Sequence, residues 1–303
     1  MDFVSAKPLV AHAKQNNYAT PALNTNGANY DIARAALEAC QETNSPLILQ
    51  SYEPNCEYRG FEYFVNLTEF LCKELSITVP VAISLDHGHS IESIKRAVDA
   101  GFTAVMFDAS HDPLEKNIEL SKQAVKIAHD AGVSVEGEVG YVKGNEPPAQ
   151  TQIGRVPIPE KPSIEAVKTD IDEALRYVEE TNVDLLAVNI GSTHGCYQKQ
   201  ENIDLDWLGK LAESVPVPMV QHGTCGISTE LLTKLSKQGM SKINFGEPFR
   251  VNDIKYFNDF TDSTEHLWHP WRIMRQVKDK LKSDMIELIR ALGAENRADQ
   301  ISL

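Results

Sequence analysis

Short apolar runs alternate with amphipathic segments along the whole chain. Such runs fall at 18–25 (YATPALNT), 46–52 (PLILQSY), 79–88 (VPVAISLDHG) and 103–110 (TAVMFDAS). Four more lie at 134–140 (SVEGEVG), 184–192 (DLLAVNIGS), 217–223 (VPMVQHG) and 241–247 (SKINFGE). Near-continuous apolar character over so few residues predicts strands buried on both faces. Between the runs, DIARAALEAC, SIESIKRAVDAG, LEKNIELSKQAVKIAHDAG and IDEALRYVEET carry apolar residues at spacings of three and four. Several of these segments stop at a glycine, as helices do. Eight strand–helix units predict a parallel sheet covered by helices, and over 303 residues they favour a closed (β/α)8 TIM barrel over a doubly wound sheet. No domain boundary or low-complexity tract interrupts 1–303, which is read as a single domain.

Two segments exceed a minimal barrel. After the fifth strand, 141–163 is a long Gly/Pro/polar loop of the size usual for lids or binding loops. Beyond Pro248 the tail holds more than one helix, and 269–293 reads as a long C-terminal amphipathic helix that closes the barrel or forms an oligomer contact.

Composition narrows the function classes. Apolar content of 42% and charged content of 24% are those of a globular protein. A net charge of −14 argues against nucleic acid or a membrane surface as partner, since both are polyanionic. Cys40, Cys56, Cys72, Cys196 and Cys225 are an odd number at wide spacing, without a CxxC pair. This suggests neither a disulfide framework nor a zinc ribbon. Reduced thiols, an N-terminus without a signal-peptide core and the lack of a membrane-length apolar run point to the cytoplasm.

The chemistry collects where the predicted strands end. The third ends in Asp86-His87-Gly88-His89, the fourth in Asp108-Ala109-Ser110-His111, and the fifth in Glu136-Gly137-Glu138. The sixth ends in Ser192-Thr193-His194-Gly195, the seventh in Gln221-His222-Gly223, and the eighth in Asn244-Phe245-Gly246-Glu247. This is the rim on which a barrel carries its active site. A single histidine after a strand is more often structural than a ligand. Three His-Gly pairs on one rim are different: three imidazoles with a fourth position open make a catalytic zinc site.

These motifs resemble, in order and spacing, the class II (metal-dependent) fructose-bisphosphate and tagatose-bisphosphate aldolases. The likeness runs through YATPALNTNGAN, SPLILQS, SLDHGHS, VMFDASHDPLEKNI, VEGEVG, KTDIDEAL, LLAVNIGSTHG, VQHGTCGIS and KINFGE. It implies a lyase that makes or breaks a C–C bond of a ketose or sugar-acid derivative through a metal-stabilised enediolate. It further implies Zn2+ on His87, His194 and His222, with Glu138 as an alternative or second-site ligand and a monovalent cation as a second cofactor. Asp86 becomes the acid/base beside the metal, and Glu146, in the long loop, the mobile base for the carbon-bound proton. Asn24, Ser51 and Asn244 match substrate contacts, as do Gly195, Gly223, Cys225 and Glu247 at the phosphate end. Glu136 is read as support for its neighbour, and His89 and His111 as rim residues. The expected partners are a small carbohydrate substrate and further copies of the chain, as a homodimer or homotetramer.

The resemblance breaks at the phosphate end. Where these aldolases carry Gly-[Gly/Ala]-Ser-Gly and Asn-x-x-[Thr/Ser], this chain has Gly223-Thr224-Cys225-Gly226 and Asn244-Phe245-Gly246-Glu247. Cys225 is a weaker hydrogen-bond donor than serine. Glu247 sets a carboxylate where a phosphate dianion is to sit. Three arrangements fit: Glu247 turned away with phosphate on the amides of Gly195, Gly223 and Gly226; Glu247 paired with Lys242 or Arg250; or a substrate without phosphate at that end. The last is the preferred expectation. Alternatives are an ordinary bisphosphate aldolase and an isomerase or epimerase sharing the enediolate. A metallohydrolase on His87-Gly88-His89 and a non-catalytic zinc or sugar binder are weaker.

Overall fold

Each apolar run folds as a strand in a computed structural model, which describes residues 3–142, 160–161, 167–263 and 269–303. The strands are β1 (Thr20–Asn24), β2 (Leu47–Tyr52), β3 (Val81–Gly88), β4 (Ala104–Phe107), β5 (Ser134–Val139), β6 (Leu185–Val188), β7 (Met219–Gln221) and β8 (Met240–Phe245). All pair in parallel in sequence order, and β8 pairs with β1 to close the barrel. The fold is the expected (β/α)8 barrel.

The helices are α1 (Ala6–Asn16), α2 (Tyr30–Glu42), α3 (Glu53–Arg59), α4 (Phe61–Glu74), α5 (Ile91–Ala100) and α6 (Leu114–Asp130). They continue as α7 (Ile171–Thr181), α8 (Leu205–Ser214), α9 (Thr229–Lys237), α10 (Glu247–Asp262) and α11 (Pro270–Ala291). Local chemistry starts several of them. Asn29, Asp170, Asp204 and Ser228 accept hydrogen bonds from first-turn backbone amides, and Ser90 forms a capping box with Ser93. Among the described residues no helix is long and apolar enough to cross a membrane.

Strand alternation separates two cores. One side chain in two faces the helices, in the large outer cluster that includes Leu23, Leu47, Leu49, Ile83 and Leu85. The others fill the lumen: Ala22, Ile48, Ala82, Ala104, Met106, Leu185, Ala187 and Val220. Ala6, Leu9 and Val10 of α1 join this inner cluster and so plug the floor of the barrel. Burying each of the Leu, Ile, Val and Met side chains among them stabilises by ~1.5–3 kcal/mol. The sequence patterns above did not include α1, whose short apolar stretch lies among polar residues. Towards the C-terminal ends of the strands the lumen turns polar, and there the register sets Asn24 beside Gln50 and Tyr52 beside Asp86.

The long C-terminal pattern is α11. It buries Ile273, Val277, Leu281, Met285 and Ile289 and packs against α2 and α10. Lys278 Nζ pins it to Glu38 of α2 at 2.6 Å. It thereby joins the helices that follow β1 and β8, the two strands whose pairing closes the barrel. Of the expected lid at 141–163, residues 143–159 and 162–163 lie outside the described residues, and Glu146 with them.

Candidate metal centre and active site

A cavity of about 610 Å³ opens at the C-terminal ends of the strands, lined among others by Asn24, Asp86, His87, His194, His222, Asn244 and Glu247. Simple alternation cannot turn both Asp86 and His87 into it. The register with β4 shifts between Leu85 and Gly88, and His87 takes φ +49°, a left-handed conformation uncommon outside glycine. That local strain turns two consecutive side chains to the same cavity. The glycine after His87 has a steric reason: a Cβ on Gly88 would lie 2.9 Å from the Met106 carbonyl oxygen. Gly223, after His222, has φ +65°, and a Cβ there would meet the Thr193 carbonyl oxygen at 2.6 Å. A tight turn thus follows His222 at Gly223, whereas Gly88 is required by close approach of β4.

The three imidazoles converge. His87 and His222 ring centroids are 4.8 Å apart, His87 and His194 5.1 Å, and His194 and His222 5.6 Å. One nitrogen from each falls in a group whose atoms lie within 4.8 Å of one another. His87 Nε2 and His222 Nδ1 are 3.1 Å apart. Two nitrogens about 2.0–2.1 Å from one tetrahedral ion are about 3.3 Å apart.

Each ring is also held from behind by a carboxylate. His87 Nδ1 pairs with Asp108 at 2.8 Å, His222 Nε2 with Glu136 at 2.8 Å, and His194 Nδ1 with Glu247 at 3.4 Å. Such contacts fix tautomer and orientation in metal sites. The other nitrogen of His194, Nε2, is buried without a hydrogen-bond partner among the described residues, as is Glu138 Oε2. An orphaned imidazole nitrogen within this cluster fits a metal ion.

The electrostatics follow from burial and these pairings. Burial pushes His222 down to about 4, despite its Glu136 bond. Burial also works downward on His87, but the Asp108 bond and the charges of Asp86, Asp108 and Glu138 lift it to about 10. Glu136 is opposed by burial yet held at about 2 by Lys242 and His222. Glu247 is likewise opposed by burial and held at about 2 by His194, with a smaller effect of Arg250. Glu138 is pushed up to about 7, first by burial and then by the Asp108 charge.

Asp86 sits beside this cluster among amide donors. Asn24 Nδ2 donates to Oδ2 at 2.8 Å, and Asn244 Nδ2 and Gln50 Nε2 donate to Oδ1 at 3.3 and 3.5 Å. Glu138 accepts from Ser110 Oγ at 2.9 Å and the Val142 amide at 3.1 Å, and forms a second possible metal group with His87 and Asp108. His89 lines the cavity, whereas His111 is exposed and does not.

Several expected contacts lie elsewhere. Ser51 is buried on the other side of β2, while its neighbours Gln50 and Tyr52 line the cavity. The period of two in the strand decides this. Gly195, Gly223 and Cys225 are not among the lining residues. Cys225 donates its thiol to the Tyr197 carbonyl oxygen at 3.7 Å. Lys242 does not pair with Glu247; its Nζ lies 2.6 Å from Glu136. Glu136 therefore supports His222 rather than Glu138. Glu247 does not turn away from the cavity but lines it. Gln200 bore no signal in the sequence, yet its Nε2 donates to the carbonyls of Thr193, Gly223 and Cys225, tying together the loops that carry His194 and His222.

A closed (β/α)8 barrel with three imidazoles converging at the C-terminal ends of its strands defines the class: a barrel enzyme with a metal-competent site. Residues 4–297 match the sequence model described as "Fructose-bisphosphate aldolase class-II", and the chain belongs to that family. It is 36% identical over 299 residues to a fructose-bisphosphate aldolase of Staphylococcus epidermidis, covering 98% of this chain and all of the relative. It is equally 36% identical to the 6-phospho-5-dehydro-2-deoxy-D-gluconate aldolase of Shouchella clausii, covering 98% and 97% of the two chains. The crystal structure of the YdjI aldolase from Escherichia coli K12 superposes with a TM-score of 0.81 at 27% identity, covering 98% of this chain and 99% of that one. The protein is an aldolase, a metal-dependent lyase.

Proposed function

We propose that this aldolase cleaves and forms a C–C bond in a ketose or sugar-acid derivative that lacks phosphate at the end bound beside Glu247. The observation that carries the reading is the Glu247 side chain itself. It is 15% exposed, lines the cavity and lies 3.4 Å from His194 Nδ1. A phosphate dianion there meets a carboxylate in a partly dry site, which costs several kcal/mol, on the order of a thousandfold or more in affinity. The names of the relatives favour a second reading, a phosphorylated substrate.

His87, His194 and His222 are proposed to hold zinc, with Glu138 available as an alternative ligand and a monovalent cation as a further cofactor. Zinc in such a site polarises a ketone oxygen and its neighbouring hydroxyl. In the cleavage direction Asp86 accepts the hydroxyl proton at the scissile carbon, positioned by the amides of Asn24, Asn244 and Gln50. The C–C bond breaks, the aldehyde leaves, and the electron pair passes to the α-carbon of the ketone fragment. Glu146 is assigned the proton returned to that carbon. A homodimer or homotetramer in the cytoplasm completes the reading. The five described cysteines are all free, which is compatible with a reducing compartment.

The test is aldol addition with dihydroxyacetone or dihydroxyacetone phosphate as donor, with and without chelator. Faster reaction with dihydroxyacetone, lost on chelation, is the expected result. Fructose 1,6-bisphosphate cleaved at rates usual for an aldolase overturns it.

A further inference from the structure

Besides His194 Nε2, four residues that line the cavity each carry a buried polar atom without a hydrogen-bond partner among the described residues: Asn26 Nδ2, Gln50 Oε1, Asn244 Oδ1 and Asp253 Oδ1. Three of the four are acceptors. Their orientation is not arbitrary. Gln50 and Asn244 both point their NH2 groups at Asp86, an acceptor, so their carbonyl oxygens are the ends left over. Gln50 is fully buried. Asp253, on α10, can only accept as a carboxylate. Its carboxyl is pushed upward by burial and by Asp31 nearby, so the wall around it resists further negative charge.

A ligand that completes this wall has to bring hydrogen-bond donors. A phosphate dianion offers acceptor oxygens and can satisfy Asn26 but none of the three acceptors. A hydroxyl group donates once and accepts as well, so a chain of free hydroxyls can satisfy all four atoms. The charges agree. Arg250 is the one Lys or Arg among the described lining residues, against the carboxylates of Asp86, Asp108, Glu247 and Asp253.

We propose that Gln50 and Asp253 are specificity-determining residues that accept hydrogen bonds from free hydroxyls of the aldehyde half, which is therefore a neutral polyhydroxy chain rather than an aldehyde phosphate. This rests on the aldolase reading above, in which Asp86, held by the Gln50 amide, takes the hydroxyl proton at the scissile carbon. Sites built to pair a substrate hydroxyl reject analogues that lack it, because their own polar groups are then left unpaired.

The test uses the metal-loaded enzyme and three four-carbon aldehydes: D-erythrose, D-erythrose 4-phosphate and butyraldehyde. Each is offered with dihydroxyacetone and, separately, with dihydroxyacetone phosphate, and kcat/KM is measured for the aldehyde. Erythrose is expected to exceed both others by about tenfold or more with whichever donor reacts. The erythrose-to-butyraldehyde ratio is expected to fall by about fivefold or more in Asp253→Ala and in Gln50→Leu. A general loss of fold or metal lowers both rates together and leaves that ratio unmoved. Asp253 lies on a half-exposed helix, so its variant decides alone if the Gln50 variant does not fold. Preference for erythrose 4-phosphate, no reaction with any of the three, or an unchanged ratio in the folded variants overturns the proposal. Reaction with dihydroxyacetone phosphate alone overturns the donor-end reading of Glu247 but leaves the aldehyde comparison intact.

Discussion

The Glu247 carboxylate lies 3.4 Å from Nδ1 of His194, on the edge of the ring opposite the nitrogen that has no partner among the described residues. The residue that departs from the phosphate-binding pattern thus supports a metal-competent histidine as well. Removing a carboxylate behind a ligating histidine lowers metal affinity by about 10–100-fold. Glu247→Ala is expected to do so here, measured by competition with a chromogenic chelator, with zinc restoring activity at higher concentration. If the variant binds zinc as tightly as the parent, Glu247 does not orient His194.

His87 reaches the cavity because the chain turns left-handed at that residue and Gly88 fits against β4. Gly88→Ala forces a methyl to 2.9 Å from the Met106 carbonyl oxygen and to a similar distance from Leu85. Overpacking against backbone costs ~1–3 kcal/mol and displaces its neighbours. Lower urea stability is therefore expected together with weaker zinc binding. Gly223→Ala gives the same pair of effects through the Thr193 carbonyl, with a further cost from φ +65°. Stability lost without any change in metal affinity contradicts the link to histidine placement.

Lys242 and Glu136 are both almost fully buried and pair at 2.6 Å, while the second oxygen of Glu136 holds His222. Removing one partner strands a charge in the lumen, at a cost of ~3–5 kcal/mol. Lys242→Met is expected to lose about that much by chemical denaturation. The double variant Lys242→Met/Glu136→Gln removes both charges and is expected to recover part of the stability. It does not recover metal affinity, because His222 has lost its carboxylate. Equal stability of single and double variants argues against the pair.

The strands were legible because buried parallel strands need unbroken apolar runs, and the histidines because each ends such a run. What stayed hidden depends on direction and on distance in the chain. Ser51 and Gln50 are adjacent, and only the phase of β2 decides which of them faces the cavity. Glu136 and Lys242 are 106 residues apart and meet across the lumen, so no local spacing announces the pair. Asp108 was visible as a rim residue, yet its bond to His87 needs β3 to bend at that residue. The altered residue at 247 was evident, but its contact with His194 was not, since a loop and a helix start bring them together.

Asp184 offers a test outside the active site. Just before β6, its carboxylate takes Lys7 of α1 at 2.9 Å, His129 of α6 at 2.8 Å and the Val135 amide of β5 at 2.8 Å. Burial opposes its charge, but these three partners together hold its pKa below the usual 3.8. A depressed carboxylate contributes stability that is complete above its unfolded value and lost as pH falls through the folded one. Asp184→Asn keeps the shape and removes the charge, so it is expected to cost ~1–3 kcal/mol near neutrality. The gap between variant and parent should narrow as pH drops below about 4, because the parent then protonates too. Urea denaturation at neutral and acid pH measures it. A gap that stays constant across that range shows that the charge of Asp184 does not tie the barrel floor to the helix ring.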